Sequence, residues 1–277
     1  MSTDSRTALP SRGPLVGLAW GALALQVAVF LAPVALVLWL SLLAATDLAG
    51  QPSLVYWTSV LASPQALTAL FSSVFLAVLT ALCATIIASP LAFVIALRGR
   101  FLGRAALAFV IIMWLFDPGI RILGWMRFFK DLEIVGFPPS MIPSGFVAEL
   151  IARIHAWVPL PVLVLTFAFR RTDRGLLQTA WESGATSITL FRCILWPLCW
   201  RAVALSTALV FSGAVGSFLE PRLLGTERFD QASEWLQRAL ESETGWPYAA
   251  AMLLMILTLA ALPLLLLSIS AQRQAKL

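Results

Sequence analysis

Long apolar runs separated by short polar stretches set the pattern of this 277-residue chain. Six runs reach the length of a membrane-crossing helix, at about residues 18–44, 67–97, 105–126, 147–169, 198–219 and 247–270. A bilayer core of about 30 Å requires roughly 20 apolar residues in helical form, so each run can span. The runs are rich in Leu and Ala and lack two-residue alternation, which predicts helices rather than a β-barrel. The pattern therefore predicts an all-α, polytopic membrane protein with six transmembrane helices. Composition agrees: 60% of residues are hydrophobic, 12% are charged and the mean hydropathy is +0.90. A water-soluble core of this size does not need such a bias.

Charge adds the orientation. With the N-terminus inside, the inner side carries Arg6, Arg98, Arg100, Arg104, Arg170, Arg171, Arg174, Arg192 and Lys276 with few acids. The outer side carries Asp47, Asp117, Asp131, Glu133, Glu149, Glu220, Glu234 and Glu241 and is acidic overall. The excess of basic residues predicts that both termini face the cytoplasm. The net charge of +5 then reflects topology, not nucleic-acid binding. The first run follows Arg6 and Arg12 and ends in Ala44-Ala45, as a cleavable leader would. It is longer than the roughly 7–15 apolar residues of a leader and is expected to remain as the first helix. Cys83, Cys193 and Cys199 are odd in number, show no metal-ligand spacing and read as small apolar fillers.

Residues 176–198 interrupt the apolar pattern with a semi-polar island. A short helix over Leu176–Ser183, a glycine free to take positive φ at Gly184, and a second helix from near Ser187 predict a helix-turn-helix knob. Such a knob can dock as a rigid body in a partner's groove. Phe191 and Ile194 share a face that can pin the second helix to the bundle, and Pro197 marks the turn into the next span. The plainer alternative is an ordinary connection between two membrane helices.

Few charges lie in the apolar runs, and each is expensive there, about 2.5–3.5 kcal/mol at mid-membrane. Asp117 with Arg121, and Glu149 with Arg153, stand four apart, which puts each pair on one helical face. Two readings are open: neutralising salt bridges near the outer interface, or, with Glu220, a lining of the solute path that parts when substrate enters. His155, the only histidine, is expected to be a packed or hydrogen-bonded ring. No Gly-x-Ser-x-Gly run accompanies it, and no phosphate-binding Gly-rich loop occurs, so the chain is not expected to be an enzyme. Phe229, Ala232, Trp235, Leu236, Ala239 and Leu240 recur at helical spacing among charged residues. They predict an amphipathic helix outside the membrane. It either rests in the interface with Trp235 as anchor or forms part of an outer gate or docking surface.

The island resembles the cytoplasmic coupling loop of permease subunits in bacterial ATP-binding-cassette (ABC) importers. Ala180, Gly184, Ala185, Phe191, Ile194 and Pro197 fall at that loop's offsets, while Gln178 and Thr179 stand where it usually has Glu and Ala. Other segments are similar to spermidine/putrescine permeases: Ser89-Pro90-Leu91-Ala92-Phe93, Arg121-Ile122-Leu123-Gly124-Trp125, His155-Ala156-Trp157-Val158-Pro159, Gly216 to Gly225, and Gly245-Trp246-Pro247. Ser217 departs from them, replacing a Glu, with Glu220 the nearest acid. The resemblance implies an importer-permease (MetI-like) fold with a five-helix core and one N-terminal peripheral helix. It implies a second permease, two cytoplasmic ATPases that carry the ATP and Mg, and an extracytoplasmic solute-binding protein. No cofactor is expected in this chain.

On this reading residues 1–17 are a cytoplasmic tail, 18–66 the first helix and an external loop, 67–270 the permease core with the coupling loop at 170–197, and 271–277 a second tail. Gln178, Ala180, Glu182, Gly184, Ala185, Phe191 and Pro197 are the candidates for coupling to an ATPase. Asp117, Arg121, Glu149, Arg153, His155, Ser217 and Glu220 are the candidates for the translocation path. The expected cargo is a small polar solute, polyamine-like or otherwise charged or zwitterionic. A proton-coupled secondary transporter is the alternative, although no inverted repeat is visible across the six runs.

Overall fold

A computed structural model of the chain describes residues 12–43, 52–97, 100–225, 231–242 and 245–275. Arg6, Asp47, Arg98, Phe229 and Lys276 lie outside the described residues. Among the described residues four helices are long and apolar enough to cross a membrane, and six spans result if each of two bent helix pairs counts as one. The expected all-α, multi-pass architecture is therefore observed.

The first span, α1 (Arg12–Ser41), leads to a short helix α2 (Val55–Ala62) and the long α3 (Pro64–Leu97). The third span consists of α4 (Arg100–Leu115) and α5 (Pro118–Ile134), and the fourth of α6 (Gly145–Trp157) and α7 (Pro159–Arg170). The island comprises α8 (Arg174–Glu182), α9 (Ser187–Thr189), a π-helical stretch Leu190–Leu195 and α10 (Trp196–Leu198). Then come α11 (Trp200–Ala214), α12 (Leu219–Leu224), α13 (Ala232–Glu241) and α14 (Gly245–Ala275).

Two predicted spans are not straight. The run 105–126 breaks after Leu115, and α5 leaves α4 at 90°. The cause is local: Pro118 disfavours helical geometry at Asp117. The Asp117 carboxylate caps the new helix, accepting from Gly119 N at 2.8 Å and Ile120 N at 3.3 Å. The fifth span bends by 75° between Leu198 and Trp200, just past Pro197, and α11 ends at Ala214, short of the predicted residue 219. The first and last helices extend into the predicted tails, to Arg12 and Ala275.

The centre of the bundle is α3, which packs against α7, α11, α6 and α4. Its buried face is almost all small: Ala66, Ala69, Ser73, Ala77, Thr80, Ala84, Ala88 and Ala92. In lipid there is no hydrophobic drive between helices, so close backbone approach through small residues supplies the packing. The large side chains of the same helix point the other way, with Phe71 71% exposed and Ile86 64%. α1 lies along α14 with its apolar side chains largely exposed, the position of a peripheral helix.

The expected amphipathic helix is α13. It packs on α14 and α3, placing Ala232 and Ala239 in a buried cluster with Ala69, Tyr248 and Met252, and Trp235 and Leu236 against it. Ser73 Oγ accepts from Ala232 N at 2.9 Å and fixes its start.

Enlarging the small face of α3 will be costly where a partner helix is close. Ala84→Leu, at a fully buried site against Val210 of α11, is expected to cost about 1–3 kcal/mol. Phe71→Leu on the outward face is expected to stay within about 0.5 kcal/mol of the parent. Thermal unfolding in detergent checks both.

Candidate functional site

The island folds as a closed knob. Asp173 caps α8 through Gly175 N at 2.8 Å. At its other end Gly184 takes φ +85°. Gly184 N donates to Trp181 O at 2.9 Å and Ala185 N to Ala180 O at 3.0 Å. These two bonds are the Schellman closure, which satisfies the last carbonyls of the helix and depends on a residue tolerant of positive φ. The Thr186 hydroxyl then caps the next turn by accepting from Thr189 N at 3.2 Å. Leu177 is buried, and Ala180 and Ala185 are half-buried against the cluster of Ala92, Leu165 and Phe169. Phe191 lies in the same cluster, its ring 5.4 Å from that of Phe93 and 6.2 Å from that of Phe169.

The outward surface of the knob therefore includes Leu176, Gln178, Trp181, Glu182, Gly184 and Ile188. Gln178 Nε2 donates to Glu182 Oε1 at 2.9 Å, which holds the two polar candidates side by side. Ala180, expected with Gly184 to offer close approach to a partner, and the coupling candidate Ala185 pack toward the bundle, while Gly184 is exposed. Trp181 and Ile188 are large apolar residues left exposed, and the sequence reading passed over them. In a chain this apolar, nothing in the local pattern separates a docking residue from a lipid-facing one.

The structure divides the seven path candidates. Arg121, Ser217 and Glu220 come together around a cavity of about 340 Å³, whose walls include Trp114, Trp157 and Phe218. Arg121 arrives on α5, and Ser217 and Glu220 on the loop and first turn after α11. Ser217 Oγ donates to Glu220 Oε2 at 2.6 Å. Arg121 Nη1 donates to Ala156 O at 3.1 Å, and its buried Nε has no hydrogen-bond partner among the described residues. Trp157 sits against Gly213 so closely that a Cβ at 213 would fall 2.0 Å from the indole ring. The predicted Asp117–Arg121 pair does not form, because Asp117 is spent on the cap of α5.

Glu149 and Arg153 do pair, at 2.8 Å, but they are 0% and 1% exposed and lie away from the cavity wall. Arg153 also donates to Ala214 O at 2.8 Å and to Gln231 Oε1 at 2.6 Å. Gln231 Nε2 returns a bond to Glu149 Oε1 at 2.7 Å. This closed set joins α6 to the end of α11 and the start of α13; the pair is the salt bridge that one of the two readings expected, and neither member borders that cavity. His155 is likewise elsewhere: its Nδ1 accepts from Trp125 Nε1 at 3.2 Å, and it borders a separate apolar cavity of about 560 Å³.

This combination, a polytopic bundle with bent third and fifth spans and a helix-turn-helix knob between the fourth and fifth, is the fold of an ABC importer permease. A permease from a bacterial ABC transporter that imports the acidic polysaccharide alginate superposes with a TM-score of 0.72 over 95% of this chain and 96% of that one, at 15% identity. The same transporter type in complex with an alginate pentasaccharide-bound periplasmic protein gives 0.62 over 81% and 84%, at 16% identity. In sequence the chain is 30% identical over 124 residues to the probable ABC transporter permease protein y4fN of Sinorhizobium fredii, covering 45% of this chain and 21% of that protein. It is 27% identical over 97 residues to the inner membrane ABC transporter permease protein YdcU of Escherichia coli, covering 35% and 30%. It is 24% identical over 132 residues to the spermidine/putrescine transport system permease protein PotB of Haemophilus influenzae, covering 48% and 46%. The matches thus span less than half the length of these curated relatives. No protein-family model matches the sequence.

Removing one member of the buried ion pair will be far worse than removing both. Arg153→Met leaves Glu149 charged and buried, and is expected to cost about 3–5 kcal/mol. Adding Glu149→Leu should recover most of that loss. A double-mutant cycle on melting temperatures in detergent measures the difference.

Proposed function

We propose that this chain is a permease subunit of an ABC importer, forming with a second permease the path for a small charged solute. The observation that carries the reading is the knob: a rigid, doubly capped helix with Trp181, Ile188 and a polar pair on its outer surface, set on the bundle by Leu177 and Phe191. A lipid-facing connection has no need of such a closure. An ATPase that grips it can move it as one body.

The bends give the movement a route. The π-helical stretch and the 75° turn near Pro197 connect the knob directly to α11. The far end of α11 meets Trp157 at Gly213 and Arg153 at Ala214 O. Closure of two ATPases on ATP would therefore tilt α11 and act on the cavity that holds Arg121 and Glu220, switching access between the two sides of the membrane. Hydrolysis belongs to those partner subunits, which hold the ATP and Mg, and an extracytoplasmic binding protein delivers the solute. The basic loops support an orientation with both termini and the knob in the cytoplasm, and the similarity to an inner membrane permease supports a bacterial inner membrane.

Two experiments test this reading. Gly184→Asp puts a side chain at φ +85° and a charge on the docking surface, and is expected to lower ATP-driven uptake about tenfold or more with the protein still inserted. Gly184→Asn, which tolerates the same backbone without the charge, should retain most of the uptake. Normal uptake by Gly184→Asp rejects the coupling role. In intact cells Glu182→Cys should react with a membrane-impermeant maleimide only after the inner face is opened, and labelling from outside rejects the topology.

A further inference from the structure

Two opposite charges face the same cavity, and neither neutralises the other. Among the described residues Arg121 and Glu220 both line it without forming an ion pair. Arg121 uses Nη1 on a backbone carbonyl, while its Nε–H is buried with nothing to accept it. Buried donors on a cation are rarely left unmade, because the desolvation cost of the group is then unmet. On the other side Glu220 is only 5% exposed, and one carboxylate oxygen is held by the Ser217 hydroxyl. That hydroxyl orients the acid and adds no second negative charge.

Size narrows the choice further. At about 30 Å³ for each water-sized group, 340 Å³ admits on the order of eleven non-hydrogen atoms. A molecule with two positive ends would set one of them beside Arg121, and a molecule with two negative ends would set one beside Glu220. One charge of each sign satisfies both groups, and the aromatic walls of Trp114, Trp157 and Phe218 suit a cationic end.

We propose that the solute accepted by this cavity is a compact zwitterion, with its anionic end at Arg121 and its cationic end at Glu220. The assignment rests on the importer reading and specifies its cargo. It gives each charged residue a separable role: Arg121 selects for the acid of the solute and Glu220 for its base, while Ser217 positions Glu220.

The test uses the full chain in lipid nanodiscs and three four-carbon probes that differ only in their ends: 4-aminobutyrate, putrescine and succinate. Binding is followed by titration calorimetry. The wild-type chain is expected to bind 4-aminobutyrate about tenfold or more tighter than either of the others, since one charge-assisted contact is worth about ten- to a hundredfold. Arg121→Gln should weaken 4-aminobutyrate by a similar factor and make putrescine the preferred probe. Glu220→Gln should make succinate the preferred probe. Both variants are compared with wild type by melting temperature, and the wild-type order of the three probes stands as a readout independent of either variant.

The proposal is overturned if wild type binds putrescine or succinate as well as 4-aminobutyrate, if it binds none of them, or if both variants weaken all three equally. Any of these results would leave the docking knob untouched, since the Gly184 and Glu182 variants are read by uptake and labelling. Loss of the importer reading would instead appear in those two measurements while the probe order held.

Discussion

A single buried guanidinium holds the outer half of this protein together. Arg153 reaches from α6 to the last carbonyl of α11 and to the residue that opens α13, with Glu149 beside it to neutralise the charge. Helix ends leave carbonyls without intrahelical donors, and a basic side chain is one of the few groups that can satisfy them inside a bilayer. Here that group also decides where the chain goes next. The closed bonds between Arg153, Gln231 and Glu149 tie the end of α11 to the start of α13, and Ala214 O, which takes the Arg153 bond, also accepts from Ser217 N at 3.2 Å. The ion pair thus anchors the backbone beside the cavity without lining it.

Much of this arrangement was legible in the residue pattern. The knob could be read because each of its parts is a local signal: Gly184 for the positive φ, Pro197 for the bend, and Phe191 with Ile194 for the packed face. Glu149 and Arg153 could be paired by spacing, but their third partner could not. Gln231 lies 78 residues from Arg153, and no periodicity connects them. Length and hydropathy gave the spans but not their breaks, although Asp117-Pro118 carries both a helix stop and a helix start. A window average over apolar residues is blind to one cap. The small face of α3 was equally hidden, since an all-apolar helix does not announce which side meets protein and which meets lipid.

The site divides along the same line. Arg121, Ser217 and Glu220 were each visible as polar residues in apolar surroundings, yet the sequence grouped Arg121 with Asp117 and His155 with the path. Tertiary geometry reassigned them. The 90° turn at Asp117 carries Arg121 across the bundle to the cavity, and Trp125 holds His155 on the other side of α6. The aromatic walls of the cavity, like the exposed Trp181 of the knob, come from residues whose type is too common in this chain to stand out.

Gly213 has a consequence out of proportion to its size. The indole of Trp157 occupies the space that any other amino acid would need there, so the tryptophan is seated back against α11 rather than standing forward into the opening. One missing methyl thus lets Trp157 pack back at the edge of the cavity. Alanine or serine at this place would push the indole toward the cavity and narrow it while leaving every charged group unchanged.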